Sequence, residues 1–166
     1  TDWVTDSQIM ASELKAVGMN VSLNTISFGA YDNALQLGTY DAAIFFTNTG
    51  PSPFFALDGF LNSKNTAKIG KTASSNYERW NDPATDTLLS QYSQSADATV
   101  QLQAMQGLEK IMVEQLPVIS LVYGVHYAEY NTAHFTGWVT ADNPYASPSS
   151  NDSPDTEMVV LNLKPV

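Results

Sequence analysis

The chain has 166 residues, enough for one domain with a core of its own. Its 17 acidic and 7 basic side chains give a net charge of −10, which argues against nucleic acid as a partner because phosphate binding needs clustered Lys and Arg. The sequence contains no cysteine, which excludes disulfide frameworks and thiolate metal sites.

Residues 6–46 predict an alternation of helices and strands. Apolar side chains first recur every three or four positions, which predicts an amphipathic helix that Thr5 or Asp6 caps and Gly18 ends. Residues 20–25 then alternate between polar and apolar side chains, a pattern typical of a half-buried strand. A second, short helix is predicted to follow.

The run from Ala42 to Phe46 is apolar at every position, which predicts a strand that is covered on both faces. Two strands, each preceded by a helix, indicate a parallel α/β layer. Because open α/β sheets bind ligands beyond the carboxyl ends of their strands, we expect the ligand-binding edge at Asn48 and Thr49.

The middle of the chain predicts a loop and then two helices. Residues 48–80 are rich in Gly, Pro, Ser and Asn and predict a long functional loop, with a short helix that carries Pro53 in its first turn. The next two helices are predicted to start at Asp82 and Asp97, which can cap them. Gly107 is unfavourable inside the second of these helices, so we expect that close packing requires a glycine there.

The last third of the chain predicts strands and a polar loop. Val118 to Tyr123 reads as a buried strand, and Val125 to Tyr130 as a second one. Glu157 to Leu163 predicts a final short strand, after a loop rich in Pro and Ser.

Several blocks of the sequence resemble the extracytoplasmic solute-binding proteins of family 5, which serve oligopeptide, dipeptide, nickel and oligosaccharide ABC importers. The helix that ends in ELKAVGMNV and the following GTYDAAIFF resemble two blocks of the second lobe of that family. The long block that begins NYERWNDPATDTLL and ends LPVISLVYG, and then FTGWVTADNPYA, follow in the family's order. Together the blocks span nearly the whole chain.

The resemblance implies an α/β fold, a lobe of the type II periplasmic-binding-protein kind with a mixed sheet flanked by helices. Residues 1–166 would form a single C-terminal lobe, a fragment of a two-lobed protein whose N-terminal lobe is missing. The sequence shows no signal peptide, lipidation cysteine or membrane-spanning apolar run, which we expect of a piece without the amino terminus. The implied location is extracytoplasmic, either periplasmic or lipid-anchored on the outer face of the cytoplasmic membrane, with ABC permease subunits as partners.

The candidate binding residues cluster at two predicted strand ends. Uncharged polar ligands, sugars above all, need amide and hydroxyl groups and flat apolar faces. For the aromatic residues among them, a place in the core is the alternative reading. The candidates are Phe46, Asn48, Thr49, Phe54, Tyr123, His126 and Tyr127.

The loop after the second strand bears on the class of ligand. Many peptide-binding members of the family place an aspartate there, which pairs with the α-ammonium of the peptide. Here the loop reads TNTGPSPFF, with no acid before Asp58. A buried ammonium would lack the partner that offsets its desolvation, so the sequence favours an uncharged oligosaccharide over an oligopeptide.

An enzyme or metal site has little support in the sequence. It contains no G-x-S-x-G elbow, no phosphate-binding glycine loop and no H-E-x-x-H pair. His126 and His134 are the only histidines, and nothing marks a third metal ligand, so we expect no metal and no cofactor. A glycan-active hydrolase is the alternative from another class, but it needs two carboxylates facing each other across a cleft.

Overall fold

The computed structural model describes residues 2–47, 50, 52–122, 128–149 and 153–166. In these residues the chain is a helix-dominated α/β fold with a small sheet, which confirms the predicted fold class. The elements are α1 (Asp2–Ala16), α2 (Phe28–Leu37), α3 (Pro53–Leu61), a 3-10 helix (Ser63–Asn65), α4 (Pro83–Gln94), α5 (Ala98–Gln115), β1 (Phe135–Thr136), α6 (Asp155–Asn162) and β2 (Lys164–Pro165).

The best-packed part of the molecule is the group of helices α3, α4 and α5. Its centre consists of Leu57 and Leu61 from α3, Leu89 from α4 and Leu108 from α5, all of them buried. Full burial of a leucine side chain contributes about 1.5–3 kcal/mol, so these four residues supply much of the local stability. Packing of three helices against one another stabilises each of them beyond its own helix propensity.

The starts of α3, α4 and α5 agree with the sequence. Pro53 is in the first turn of α3. The Asp82 side chain accepts a hydrogen bond from the Thr85 backbone N–H, and the Asp97 side chain accepts one from the Thr99 backbone N–H. Gly107 is also explained, because a Cβ there would lie 2.8 Å from Cδ2 of Leu88 on α4.

Helix α1 was predicted correctly at its end and wrongly at its start. Gly18 has φ +92°, and the backbone N–H groups of Gly18 and Met19 donate to the carbonyls of Lys15 and Leu14. This is the Schellman arrangement that a C-terminal glycine makes possible. The helix already begins at Asp2, so neither Thr5 nor Asp6 caps it.

Two predicted strands are absent from the described structure, and the prediction was wrong there. Residues 19–27 are irregular and largely exposed, and so are residues 42–47. In the second segment Phe45 and Phe46 are exposed, although the sequence predicts a strand covered on both faces. The apolar pattern indicates that a segment favours a sheet, but a strand forms only beside a hydrogen-bonding neighbour. The described residues provide no such neighbour for these two segments.

The predicted strands near the C-terminus were also wrong where they are described. Residues 118–122 and 128–130 are irregular, while 123–127 lie outside the described residues. Instead of a strand at 157–163, helix α6 forms, with Asp155 and Glu157 in its first turn, where acidic side chains interact favourably with the helix dipole. The described sheet consists of β1 and β2, which pair antiparallel.

Candidate functional site

Most of the predicted binding residues lie outside the described part of the structure. This holds for Asn48, Thr49, Tyr123, His126 and Tyr127. Their assignment to a binding site therefore stays a prediction. Phe46 and Phe54 are described, and they belong to two different groups of aromatic rings.

Phe54 lies beside the helical core. It packs against the buried leucines of α3, α4 and α5, and its ring stacks on that of Tyr92 with a centroid distance of 4.5 Å and an interplanar angle of 8°. The Tyr92 hydroxyl is 3.3 Å from Oγ of Ser52, the residue before α3. This stacked pair joins the start of α3 to α4, so Phe54 has a packing role whether or not it also contacts a ligand.

Phe46 belongs to a continuous series of rings that we call the aromatic strip. Phe46 stacks on Phe45 at 4.4 Å, and Phe45 meets Tyr77 edge to face at 5.2 Å. In the other direction Phe46 contacts Trp3 at 5.9 Å. Trp3 contacts Tyr31 at 6.3 Å, and Tyr31 contacts Phe28 at 6.2 Å. The aromatic strip consists of Phe28, Tyr31, Trp3, Phe46, Phe45 and Tyr77.

Four parts of the chain bring these rings together: the starts of α1 and α2, the segment 42–46 and the loop that carries Tyr77. Trp3 is in the first turn of α1, and Phe28 is the first residue of α2. The Ser27 side chain accepts a hydrogen bond from the Ala30 backbone N–H and so fixes the start of α2 beside the strip. The Tyr31 hydroxyl donates to the Ile44 carbonyl, which ties α2 to the segment 42–46.

The electrostatics of the strip are set by burial and by nearby acids. Burial, with smaller contributions from Tyr40, Asp32 and Tyr77, raises the pKa of Tyr31 to about 12. Burial and Asp32 also raise the pKa of Tyr77 above its usual value. The Asp32 carboxylate itself accepts a hydrogen bond of 2.7 Å from Nε2 of Gln36, which leaves it less free to pair with a ligand. Both tyrosines keep their hydroxyl protons near neutral pH.

The loop that carries Tyr77 is held by a buried amide. Asn76 has no exposed surface. Its Nδ2 donates to the carbonyls of Asn62 and Trp80, at 3.1 and 2.8 Å, and its Oδ1 accepts from the Trp80 backbone N–H at 2.8 Å. Trp80 in turn donates from Nε1 to Oγ1 of the buried Thr85, at 3.0 Å. The network connects the loop to the start of α4.

Arg79 fastens the same loop to the end of α2. Its guanidinium donates to the carbonyl oxygens of Gln36 and Leu35, at 2.9 and 3.4 Å. These carbonyls belong to the last turn of the helix, where a positive charge interacts favourably with the helix dipole. The guanidinium occupies the space beside Gly38, where a Cβ would lie 2.3 Å from Cζ of Arg79.

Most of the aromatic strip was not predicted from the sequence. Trp3, Phe28, Tyr31 and Tyr77 were not among the predicted binding residues. No local pattern marks these residues as a group, because their rings come together only through the packing of α1, α2, the segment 42–46 and the loop that carries Tyr77.

The described part of the chain contains neither a metal cluster nor a membrane-spanning helix. Within the described ranges, the acidic and histidine side chains form no group of three or more that could hold a metal ion. Of the two histidines, His126 lies outside the described residues, and the backbone carbonyl of His134 accepts a hydrogen bond from Val166. No helix in the described part of the chain is both long and apolar enough to cross a membrane.

Comparisons with known proteins identify the fold. No protein-family model matches the chain. No curated protein matches it at a significant level. Among solved structures, it is similar to a periplasmic oligopeptide-binding protein of an oligopeptide ABC transporter from Thermotoga maritima, with a TM-score of 0.78 and 24% sequence identity over 100% of this chain. A structure of that kind of protein from the same organism with mannohexaose bound matches with a TM-score of 0.76 and 24% identity over 99% of this chain.

The similarity is partial with respect to these neighbours. The chain spans 32% and 31% of their lengths. At this level of identity the match establishes the fold, which is that of part of a periplasmic binding protein. These neighbours are binding components of transporters rather than enzymes.

Proposed function

We propose that the chain is the C-terminal lobe of a two-lobed, extracytoplasmic solute-binding protein that delivers an uncharged oligosaccharide to an ABC permease. The observation that carries this proposal is the match of the whole chain to binding proteins of ABC transporters. The order of the sequence blocks supports the same class. The solute would bind between this lobe and the N-terminal lobe that precedes it.

The choice of an oligosaccharide rests on the loop of residues 47–55, TNTGPSPFF. It carries no acid that could pair with the ammonium group of a peptide. One structural neighbour, although named an oligopeptide-binding protein, was solved with mannohexaose bound, which supports a sugar chain as the ligand class. An oligopeptide is the second candidate, favoured by the name of both neighbours.

Titration calorimetry of the full-length protein tests the proposal. The ligands are mannohexaose and other neutral hexasaccharides, a free tripeptide, and the same tripeptide acetylated at its amino terminus. We expect saturable heat with at least one hexasaccharide and none with either peptide. Tight binding of the free tripeptide that acetylation abolishes would contradict an oligosaccharide ligand and support the oligopeptide alternative.

Substitution of two predicted binding residues tests the position of the site. If Asn48 and Tyr123 contact the sugar, Asn48→Ala weakens binding by about tenfold at most, since a neutral hydrogen bond contributes roughly 0.5–1.5 kcal/mol. Tyr123→Ala should weaken binding while the free energy of unfolding changes little. A loss of several kcal/mol of folding stability in Tyr123→Ala would instead place this residue in the core.

A further inference from the structure

The loop of residues 74–80, which we call the Tyr77 loop, contains an acid whose charged form is poorly stabilised. Oε1 of Glu78 is buried, and it has no hydrogen-bond partner among the described residues. A buried carboxylate oxygen without a donor costs free energy, which a neutral carboxyl largely avoids. Because atoms of this chain already cover Oε1, the rest of the protein cannot reach it unless the loop moves.

Arg79, the next residue, is held in an unfavourable backbone conformation. Its φ is +62°, in the left-handed region that costs free energy for a residue other than glycine. Its Nη1 and Nη2 donate to carbonyls of Leu35 and Gln36 at the end of α2. Its Nε, however, is buried without an acceptor in the described part of the chain. Two adjacent residues of opposite charge thus each keep one buried atom without a partner.

Ionisation of Glu78 changes the balance between two sets of partners for Arg79. When the carboxyl is neutral, the guanidinium remains on the α2 carbonyls, where the helix dipole favours a cation. When the carboxyl is charged, it attracts the guanidinium more strongly than a neutral carbonyl does, because both partners then carry charge. A shift toward Glu78 also allows Arg79 to leave the left-handed backbone conformation.

We propose that Glu78 and Arg79 form a proton-dependent latch that holds the Tyr77 loop on the end of α2. While Glu78 is protonated, Arg79 binds the α2 carbonyls and the loop is closed. When Glu78 releases its proton to solvent, Arg79 pairs with the carboxylate and the loop opens. Tyr77 contacts Phe45 at a centroid distance of 5.2 Å, so opening of the latch also removes one ring from the aromatic strip.

The groups around Glu78 set the pH range of the latch. Burial raises the pKa of the Glu78 carboxyl from 4.5 to about 7, against the opposing effects of backbone hydrogen bonds and Arg79. Tyr40, which follows α2, also faces this carboxyl, and burial and Glu78 raise the pKa of its hydroxyl above 10.0, so Tyr40 adds no charge near neutral pH. Between pH 4.5 and 7 the closed loop therefore binds more protons than the open loop, and opening becomes more favourable as the pH rises.

Hydrogen exchange of the full-length protein measures the opening of the loop. The Trp80 backbone N–H donates to Oδ1 of the buried Asn76 at 2.8 Å, so its exchange requires the loop to open. We expect the protection factor of the Trp80 amide, which corrects for the intrinsic exchange rate, to fall on the order of tenfold from pH 5 to pH 8. This fall should be absent in Glu78→Gln. It should be unchanged in the control Glu114→Gln, which alters an exposed acid of α5.

The Leu108 amide, at the centre of the helical core, is the reference for unfolding of the whole fold. Lower protection of Trp80 than of Leu108 at pH 8, together with the expected pH dependence, supports the latch. Equal protection of the two amides overturns it, because the loop would then open only when the whole fold unfolds. A wild-type protection factor that is independent of pH, or the same fall in Glu78→Gln as in the wild type, also overturns it.

A measurement on the wild-type protein decides the question if Glu78→Gln does not fold. The nitrogen resonance of Arg79 Nε, observed by NMR in protein labelled only at arginine, reports the partner of the guanidinium. The latch requires this resonance to shift with the same pH midpoint as the protection of the Trp80 amide. A resonance that does not change between pH 5 and pH 8 would show that Arg79 keeps its partners, which overturns the latch.

Discussion

At the scale of single residues, Asn76 has the clearest structural role in the described part of the chain. It is a short polar side chain with no exposed surface, and its amide forms three hydrogen bonds to backbone groups of Asn62 and Trp80. A buried polar group of this kind stabilises a single loop conformation, because its removal leaves the backbone partners without hydrogen bonds.

Replacement of Asn76 by alanine should therefore destabilise the fold. We expect Asn76→Ala to lower the free energy of unfolding by about 2–3 kcal/mol, since two carbonyls and one N–H lose their partner in a buried position. Asn33→Ala, at an exposed position of α2, is the matched control and should change stability by less than about 0.5 kcal/mol. Urea unfolding of the two variants measures the difference. Equal stabilities would show that the amide network does not hold the loop.

Glu78 links the stability of the same loop to pH. Burial raises the pKa of its carboxyl from 4.5 to about 7, although backbone hydrogen bonds and Arg79 oppose the rise. One of its oxygens, Oε1, is buried without a hydrogen-bond partner. In the unfolded chain the Glu78 carboxyl loses its proton near pH 4.5, whereas in the folded state it keeps the proton up to about pH 7. Between these two pH values the folded state therefore binds more protons than the unfolded state, so the free energy of unfolding falls as the pH rises.

Substitution of Glu78 by glutamine should remove this pH dependence. We expect Glu78→Gln to be more stable than the wild type by on the order of 1 kcal/mol at pH 8 and nearly equal to it at pH 4.5. Glu114→Gln, an exposed acid on α5, is the control and should leave the pH profile of the wild type unchanged. Thermal unfolding at several pH values measures both profiles. A Glu78→Gln profile parallel to that of the wild type would contradict the assignment.

At the scale of elements, the C-terminal end of α2 combines a left-handed glycine with a cationic side chain. Gly38 has φ +69°, and its backbone N–H donates to the carbonyls of Ala34 and Leu35. Arg79 donates to the same Leu35 carbonyl and to that of Gln36. The helix end is thus fixed by a local glycine and by a residue from a distant loop. A side chain at position 38 would occupy the space that the Arg79 guanidinium fills.

Two glycine substitutions separate backbone strain from the contact with Arg79. Gly70 also has a positive φ, +83°, but a Cβ there meets no atom within 4 Å. Gly70→Ala should therefore cost about 1 kcal/mol of stability from strain alone. Gly38→Ala should cost at least 1 kcal/mol more, because it also displaces the guanidinium from the helix end. Chemical denaturation compares the variants, and equal losses would show that Arg79 contributes nothing to the end of α2.

Local elements were predictable from the sequence, and elements that depend on distant partners were not. Asp82, Asp97 and Gly18 act within a few residues of themselves, so the sequence was sufficient to place them. Helix α6 was missed because its apolar residues also fit a short strand. Asn76 could not be recognised, because its partners Asn62 and Trp80 are brought to it only by the folded loop.

The same distinction applies to the candidate site. Phe46 was identified from its place at the end of an apolar run, but Trp3 and Phe28 join it only through the packing of two helix starts. The predicted strands at residues 20–25 and 42–46 have the right composition, yet a strand forms only where a neighbour accepts its hydrogen bonds. Composition thus identified which segments favour a sheet, but not whether they form one.

At the scale of the whole molecule, several apolar segments of the described chain are exposed to solvent and lack packing partners. Leu23 and Ile26 in one segment, and Ile119 and Val122 in another, are exposed large side chains in irregular backbone. Segments with unpaired backbone groups and apolar side chains are templates for pairing with another chain. In the proposed two-lobed protein, neighbouring strands would cover them.

The isolated chain of 166 residues should therefore self-associate as its concentration rises. Light scattering measures the mass, and hydrogen exchange of residues 21–27 shows whether the amides become protected in the associated form. A variant with Leu23→Lys and Ile26→Lys places charges on this segment and should remain monomeric at higher concentrations. A wild-type chain that stays monomeric, with unprotected amides and a cooperative transition at high temperature, would show that these segments need no partner.

Competition between ligands tests the proposed binding of an uncharged oligosaccharide most directly. Native mass spectrometry of the full-length protein, incubated with equal concentrations of mannohexaose and a free tripeptide, identifies the bound molecule by its mass. We predict a complex with the hexasaccharide, which a tripeptide added afterwards in excess does not displace. A complex with the tripeptide alone, lost when its amino terminus is acetylated, would contradict an oligosaccharide ligand.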